Sequence, residues 1–165
     1  MKQATEKEWV KLGNAYPICD LGWSNNLKLW DFTLSAPFRA SIGGKAFNQM
    51  RAVYECVNEL GLKNVLASWL DEPEYTGKVV YCSKYIEDAS FLKLDNLTLS
   101  YNVPLKNRNF VKSLGFSLTG QNLFVLTGYK GVDPEVQRSG LTPGIEGLSY
   151  YPRTRVFTFG ASIKF

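Results

Sequence analysis

Along much of the chain, apolar and polar residues take turns. From Phe32 to Gly43, the residues Phe32, Leu34, Ala36, Phe38, Ala40 and Ile42 alternate with Thr33, Ser35, Pro37, Arg39, Ser41 and Gly43. A period of two puts the first set on one face of a β-strand and the second set on the other. Pro37 has no N–H to give to a ladder, so it marks an edge or a bulge. The same alternation predicts a strand over Ile18–Lys28, with Cys19, Leu21, Trp23, Asn25 and Leu27 opposed to Asp20, Gly22, Ser24, Asn26 and Lys28. Over 89–103 the phase changes: Leu92 and Leu94 share one parity, whereas Leu97, Leu99, Tyr101 and Val103 share the other. One extra residue near Asp95-Asn96 keeps all six on one face, which predicts a β-bulge there. A fourth strand is expected over 113–126, with Leu114, Phe116, Leu118, Phe124 and Leu126 against Ser117, Thr119 and Gln121. The fifth, over 153–165, sets Phe157, Phe159, Ala161, Ile163 and Phe165 against Thr158, Gly160, Ser162 and Lys164.

The connections alternate as well. Short turns fall at Leu29–Asp31 and at Pro104–Lys112, and long connections occupy 45–87 and 127–152. In the first long connection Phe47, Met50, Tyr54, Val57 and Leu60 recur at three- and four-residue spacing, which predicts an amphipathic helix of about four turns stopping at Gly61. A second short helix is expected over Val65–Leu70, followed by the turn-forming stretch DEPEYTGK. The second long connection carries five glycines besides its prolines, so it is expected to be irregular.

Two all-β architectures fit this pattern. A soluble β-sandwich, for instance a carbohydrate-binding module, shares the alternation but predicts strands of about five or six residues and turns of similar length at both ends. A transmembrane barrel predicts strands of about nine to eleven residues or more. It also places every long loop at one end and gives each strand one apolar and one polar face. Strand length and loop asymmetry favour the barrel. Composition does not separate the two: 45% of the 165 residues are hydrophobic and 14% aromatic, with no apolar run long enough for a spanning helix.

Composition does narrow the chemistry. The chain has no histidine, which removes the commonest general base and metal ligand. Nucleophile elbows, P-loops and dinucleotide fingerprints are absent, so no catalytic residue, metal site or cofactor is expected and the chain is read as a non-enzyme. The net charge of +4 comes from nineteen scattered Lys and Arg, a distribution that does not point to nucleic acid. Cys19, Cys56 and Cys82 lack metal-type spacing, and pairing of Cys56 with Cys82 is left open. The opening residues contain no apolar core of a secretory signal, so a barrel reading expects this chain to be a piece of something longer.

The blocks GNAYP, NNLKLWDFTLSAPFRASIGG, EDASFLKLDNLTLSYNVP, GQNLFVLTGYKGVDPE and PRTRVFTFGASIKF, in that order, resemble the C-terminal end of SusC/RagA-like TonB-dependent transporters. The resemblance implies an antiparallel transmembrane segment, the last five strands of a 22-stranded outer-membrane barrel, with a helical extracellular loop insertion and residues 1–165 forming one partial domain. It implies import of oligosaccharides or peptides across the outer membrane of a Gram-negative bacterium. The implied partners are the remainder of the barrel and its plug, a SusD-like surface lipoprotein, outer-membrane lipid, and TonB acting through the plug. On this reading Trp69, Tyr75, Tyr129, Asp133 and Glu135 are candidate contacts to substrate or lid, with Asp133 also suited to a simple turn before Pro134. Tyr150 and Tyr151 fit an aromatic girdle. Arg39, Thr119 and Gln121 are expected to face the lumen. Thr158, Gly160, Ile163 and Phe165 match the pattern by which such barrels are recognised for assembly. The carboxylate pairs Asp71-Glu72 and Glu87-Asp88 are expected to be solvated.

Overall fold

The computed structural model describes residues 10–56, 61–62, 64–71, 82–105, 110–135 and 141–165. They form two compact units that interleave along the chain. A sheet unit holds Cys19–Ile42, Ser90–Gly128 and Pro152–Phe165, and a loop unit holds the residues up to Ile18 together with Gly43–Ala89 and Tyr129–Tyr151.

The sheet unit is one five-stranded antiparallel sheet. Its strands are β1 (Cys19–Leu29), β2 (Phe32–Ile42), β5 (Phe91–Asn102), β6 (Ser113–Thr127) and β8 (Val156–Lys164), in the spatial order β1-β2-β5-β6-β8. Register keeps every predicted apolar row together. Leu27 faces Leu34, Leu34 faces Leu99, Leu99 faces Leu118 and Leu118 faces Phe159. On the same face Trp23 stacks on Phe38 with centroids 5.1 Å apart, and Phe32 lies 4.6 Å from Tyr101. Phe116 stacks on Phe159 at 6.1 Å. The opposite face is small and polar: Ser117 sits across from Gly160, and Thr98 and Thr119 share a hydrogen bond of 2.9 Å between their hydroxyls.

Two irregularities keep the rows in phase. Between Ser35 and Phe38 of β2, two residues oppose three on β5 (Asp95, Asn96 and Leu97), so the extra residue expected near Asp95-Asn96 is present. Pro37, which cannot donate, lies in that interruption. The sequence did not announce the second irregularity. Between Leu94 and Asn96 of β5 the additional residue belongs to β6, where Asn122 takes the left-handed conformation at φ 53°. Asparagine is among the few side chains that adopt it readily, and its Nδ2 donates to the Thr154 carbonyl at 3.0 Å.

The loop unit is built around a small second sheet of β3 (Lys45–Asn48), β4 (Ile86–Asp88) and β7 (Ile145–Glu146), ordered β4-β3-β7. β3 runs antiparallel to β4 and parallel to β7. The first of these strands corrects the start of the four-turn helix expected from Phe47 to Leu60. Lys45–Asn48 is drawn into the sheet by pairing on both sides, and only α1 (Gln49–Tyr54) is α-helical. The Asn48 side chain caps α1 by accepting from the Arg51 N–H at 2.9 Å. The chain then folds back, and the Leu66 N–H takes the Tyr54 carbonyl at 2.8 Å. Val57 and Leu60 lie outside the described residues. The second expected helix is a 3₁₀ turn over Ala67–Asp71, and another spans Ser83–Tyr85. A buried cluster of Ala46, Ala89 and Tyr129, with Tyr150 packed on it, forms the unit's apolar centre.

Two glycines are required by this packing. At Gly144, φ is +77° and a Cβ would stand 2.9 Å from the Lys45 carbonyl oxygen. At Gly131 a Cβ would collide with the Glu146 carboxylate and the Tyr129 ring.

Because β5 is paired along both edges and β1 along one, backbone protection should be graded across the sheet. In detergent micelles, hydrogen exchange monitored by NMR should be slowest at the amides of β5. It should be fast at alternate amides on the outer side of β1. Equal exchange in β1 and β5 would contradict the strand order.

Candidate functional site

Three carboxylates organise the loop unit. Glu55, just after α1, is almost fully buried. Its Oε1 accepts from Arg51 Nε at 2.8 Å and from the Ser68 hydroxyl at 2.7 Å, and Lys84 Nζ stands 3.3 Å from Oε2 as an ion pair. The Arg51 fork also donates from Nη1 to Glu87, so one guanidinium joins α1 to β4. Glu87 uses its other oxygen to accept the Lys130 backbone N–H at 2.8 Å, which ties the first long connection to the second. Glu146 is wholly buried in β7, where it accepts from the Tyr129 hydroxyl and from the Val132 N–H, the latter at 2.7 Å. Bidentate and charge-assisted bonds of this kind are the strong ones.

The charge states follow from these contacts. Burial lowers the Arg51 guanidinium's tendency to hold its proton, but the bonds to Glu87 and Glu55 outweigh that and raise it. Burial likewise opposes ionisation of Glu55, yet the hydrogen bonds from Ser68 and Arg51 and the charges of Arg51 and Lys84 win and lower its pKa. Burial and the nearby Glu55 charge push the Tyr85 phenol up to about 12. Burial and the bond to Glu146 push Tyr129 higher still. Both phenols therefore stay neutral donors at physiological pH.

These contacts wire the segments of the loop unit together. Among the described residues no group of three or more His, Cys, Asp or Glu side chains is placed to hold a metal. Cys56 and Cys82, like Cys19, are thiols. The polar face of the sheet carries its own charged group: Arg39 grips Asp95 through Nε and Nη2 at 3.1 and 3.0 Å, with Lys93 Nζ 3.9 Å from the same carboxylate.

The expected contact residues separate under this geometry. Tyr129 and Asp133 are buried inside the loop unit, where their surfaces are used within the chain. Asp133 instead closes the turn expected before Pro134, accepting from the Glu135 N–H at 2.8 Å, and it receives the Tyr150 hydroxyl at 3.2 Å. Tyr150 is half-buried, whereas Tyr151 is exposed. Trp69 and Glu135 are half-buried, and Tyr75 lies outside the described residues. Glu87 is not the solvated group expected of it, because its side chain is mostly buried against Arg51. Asp88 is half-exposed and pairs with Lys45 at 3.3 Å. Arg39, Thr119 and Gln121 all lie on the polar face, opposite Lys93, Thr98 and Asn96. Thr158 and Gly160 lie on that face of β8 and Ile163 on the apolar one, with Phe165 just beyond, its ring 5.5 Å from Phe110. Sequence reasoning did not single out Arg51, Glu55 and Glu146. Only the spacing of Arg51 and Glu55, one helical turn apart, hinted at a pair.

No family model matches the chain. Curated relatives do: it is 29% identical over 172 residues to the TonB-dependent receptor P3 of Formosa agariphila, covering 93% of this chain and 17% of that one. It is 31% identical over 154 residues to the TonB-dependent receptor SusC of Bacteroides thetaiotaomicron, covering 88% and 15%. Among solved structures, the RagAB peptide importer in its open-open state superposes with a TM-score of 0.76 at 26% identity, over 92% of this chain and 17% of that one. In the closed-closed state the TM-score is 0.81 over the whole of this chain, at 24% identity. The chain is thus homologous, over most of its length, to a segment of SusC/RagA-family TonB-dependent receptors, which are outer-membrane transporters and not enzymes. It spans less than a fifth of the length of each.

The linkage of Glu55 sets a pH dependence. Its folded pKa is depressed, so its stabilisation is present above the ordinary glutamate value and is lost as pH falls through the lower folded value. Limited proteolysis of the 49–88 segment should therefore accelerate below about pH 4, and Glu55→Gln should remove that acid response. Arg51→Ala, which takes the guanidinium from both Glu55 and Glu87 and leaves Lys84 as the one cation on Glu55, should destabilise the loop unit by roughly 3 kcal/mol. Proteolysis unchanged in both variants would contradict the wiring.

Proposed function

We propose that this chain is the C-terminal five-strand portion of a 22-stranded outer-membrane barrel in a TonB-dependent nutrient transporter. The carrying observation is the two-faced sheet. Strands of 11, 11, 12, 15 and 9 residues match what a tilted strand needs to cross a bilayer. One face is apolar and open: Leu118 is 51% exposed, Phe157 70% and Phe159 69%. An apolar surface on this scale calls for lipid or a partner. In this reading that face meets lipid, and Arg39, Thr119 and Gln121 line the lumen. The antiparallel order supports a sidedness too, because β2 and β6 end, and β5 and β8 begin, at the same end of the sheet. The residues of the loop unit that fall in both long connections then belong to the extracellular side.

The transported material is an oligosaccharide or a peptide, in line with the peptide importer among the structural neighbours, and a SusD-like lipoprotein serves as the lid. Trp69 and Glu135, partly exposed, remain the candidate contacts to it. Energy arrives from TonB through a plug contributed by the rest of the transporter. Thr158, Gly160, Ile163 and Phe165 serve in barrel assembly. Length of strand and an uncovered apolar face both weigh against the soluble sandwich, whose two sheets bury such faces against each other.

Adjacent residues on β6 give a direct test. With this chain replacing the matching segment of the SusC receptor, Leu118→Arg should cost about 2–4 kcal/mol and deplete the heat-modifiable, membrane-assembled form. Thr119→Arg, one position along and on the other face, should assemble nearly as well as the parent. Equal tolerance of both, or failure of the second alone, would overturn the assignment of faces.

A further inference from the structure

At one end of the five-stranded sheet, β1, β5 and β8 finish and β2 and β6 begin. There β1 and β2 are joined by a two-residue turn, Trp30 and Asp31, closed by the pairing of Leu29 with Phe32. Trp30 has φ 53°, whereas Asp31 does not share the positive φ. Hairpin turns that need a positive φ give that position to glycine, asparagine or aspartate. A bulky side chain there is strained. The ring does nothing inside the fold to offset that strain. Trp30 is 83% exposed, and among the described residues its indole has neither a ring contact nor a hydrogen bond. Strain of this kind persists where something else holds it in place.

The neighbouring residues indicate what that is. Leu27, Leu29 and Phe32 are all exposed, so the bare apolar surface of the sheet runs up to the turn. It stops at Trp30, with the carboxylate of Asp31 next along the chain. The same end of the sheet carries two more exposed rings: Phe110, before β6, and Phe165, after β8, meet edge-on at 5.5 Å. Trp30 thus marks the line where an apolar face gives way to a polar turn. Tryptophan, apolar in body with a single N–H at its tip, suits such a boundary. We propose that Trp30 is a membrane-interface anchor. Its ring enters the periplasmic phospholipid leaflet where acyl chains meet headgroups, and its indole N–H donates to an ester or phosphate oxygen of the lipid. Burial of the ring in lipid is what offsets the left-handed backbone of the turn. The anchor rests on the reading of the apolar face as the lipid-facing one.

The test uses the SusC receptor carrying this chain, reconstituted into phosphatidylcholine vesicles. Emission from Trp30 is read as the difference between the parent and Trp30→Phe. Emission from Trp23, which stacks on Phe38 within the apolar face, is read in the same way with Trp23→Phe. Lipid brominated at the carbonyl end of its chains should quench Trp30 more strongly than lipid brominated near the methyl end, and Trp23 should be quenched as well. Trp30→Gly separates strain from anchoring by sign. Relief of the backbone alone raises the temperature at which the heat-modifiable form is lost, whereas loss of an anchor lowers it, and the lower temperature is expected. A higher temperature for Trp30→Gly would overturn the anchor. So would Trp30 emission that neither lipid quenches while Trp23 is quenched, a result that leaves the lipid-facing sheet standing. Quenching of neither tryptophan would remove the lipid-facing reading and the anchor with it.

Discussion

A backbone N–H or C=O that faces hydrocarbon has no water to turn to, so each one left unmatched costs several kcal/mol. The membrane wall proposed for the sheet unit must meet that constraint. Its inner strands satisfy both edges through continuous ladders, and even the two irregularities preserve pairing on either side of the interruption. Among the described residues the outer edges of β1 and β8 are unpaired. In a membrane only further strands can satisfy them, because closure alone abolishes edges. A sheet with one apolar face and two open edges is therefore physically a segment of a larger wall. The homology to part of much longer receptors gives that inference its place.

The loop unit solves a different problem. Long connections hold many polar backbone groups and little apolar side chain, and the buried centre here is small. Carboxylates take over the organising role. Glu87 and Glu146 each accept a backbone N–H from the stretch just after β6, and Arg51 links Glu55 to Glu87. Such groups are stable only when every partner is present, since an unpaired buried charge is far costlier than the pair is favourable. The connection following β2 and the connection following β6 consequently form one body rather than two independent loops.

Period-two alternation made the sheet legible, because a one-residue slip would throw every side chain onto the wrong face. Phe32–Ile42 shows this most clearly, and the phase change at Asp95-Asn96 even located the bulge. The irregularity at Asn122 was hidden because β6 stays in phase on both sides of it. Phe47, Met50 and Tyr54 read as a helix because three- and four-residue spacing is the helical signal, yet Phe47 belongs to a strand. Its partners, Ile86 and Ile145, are distant in sequence and sit in strands of three and two residues. Segments so short carry no period. The roles of Tyr129 and Asp133 were obscured for a related reason. An aromatic or acidic residue in a loop looks the same whether it faces outward or holds a buried partner, and only Glu146 and Tyr150 decide.

The most direct measurement of the central claim is spin-label accessibility along β6. Single labels are placed at successive positions from Leu114 to Gln121, with the chain assembled alongside the rest of the barrel in bilayers. Collisions with oxygen should peak at 114, 116, 118 and 120, and collisions with a water-soluble nickel complex should peak at 115, 117, 119 and 121. A strict two-residue oscillation with the two reagents out of phase is the predicted result. Water-soluble reagent reaching both sets alike, or neither, would contradict a wall between lipid and lumen.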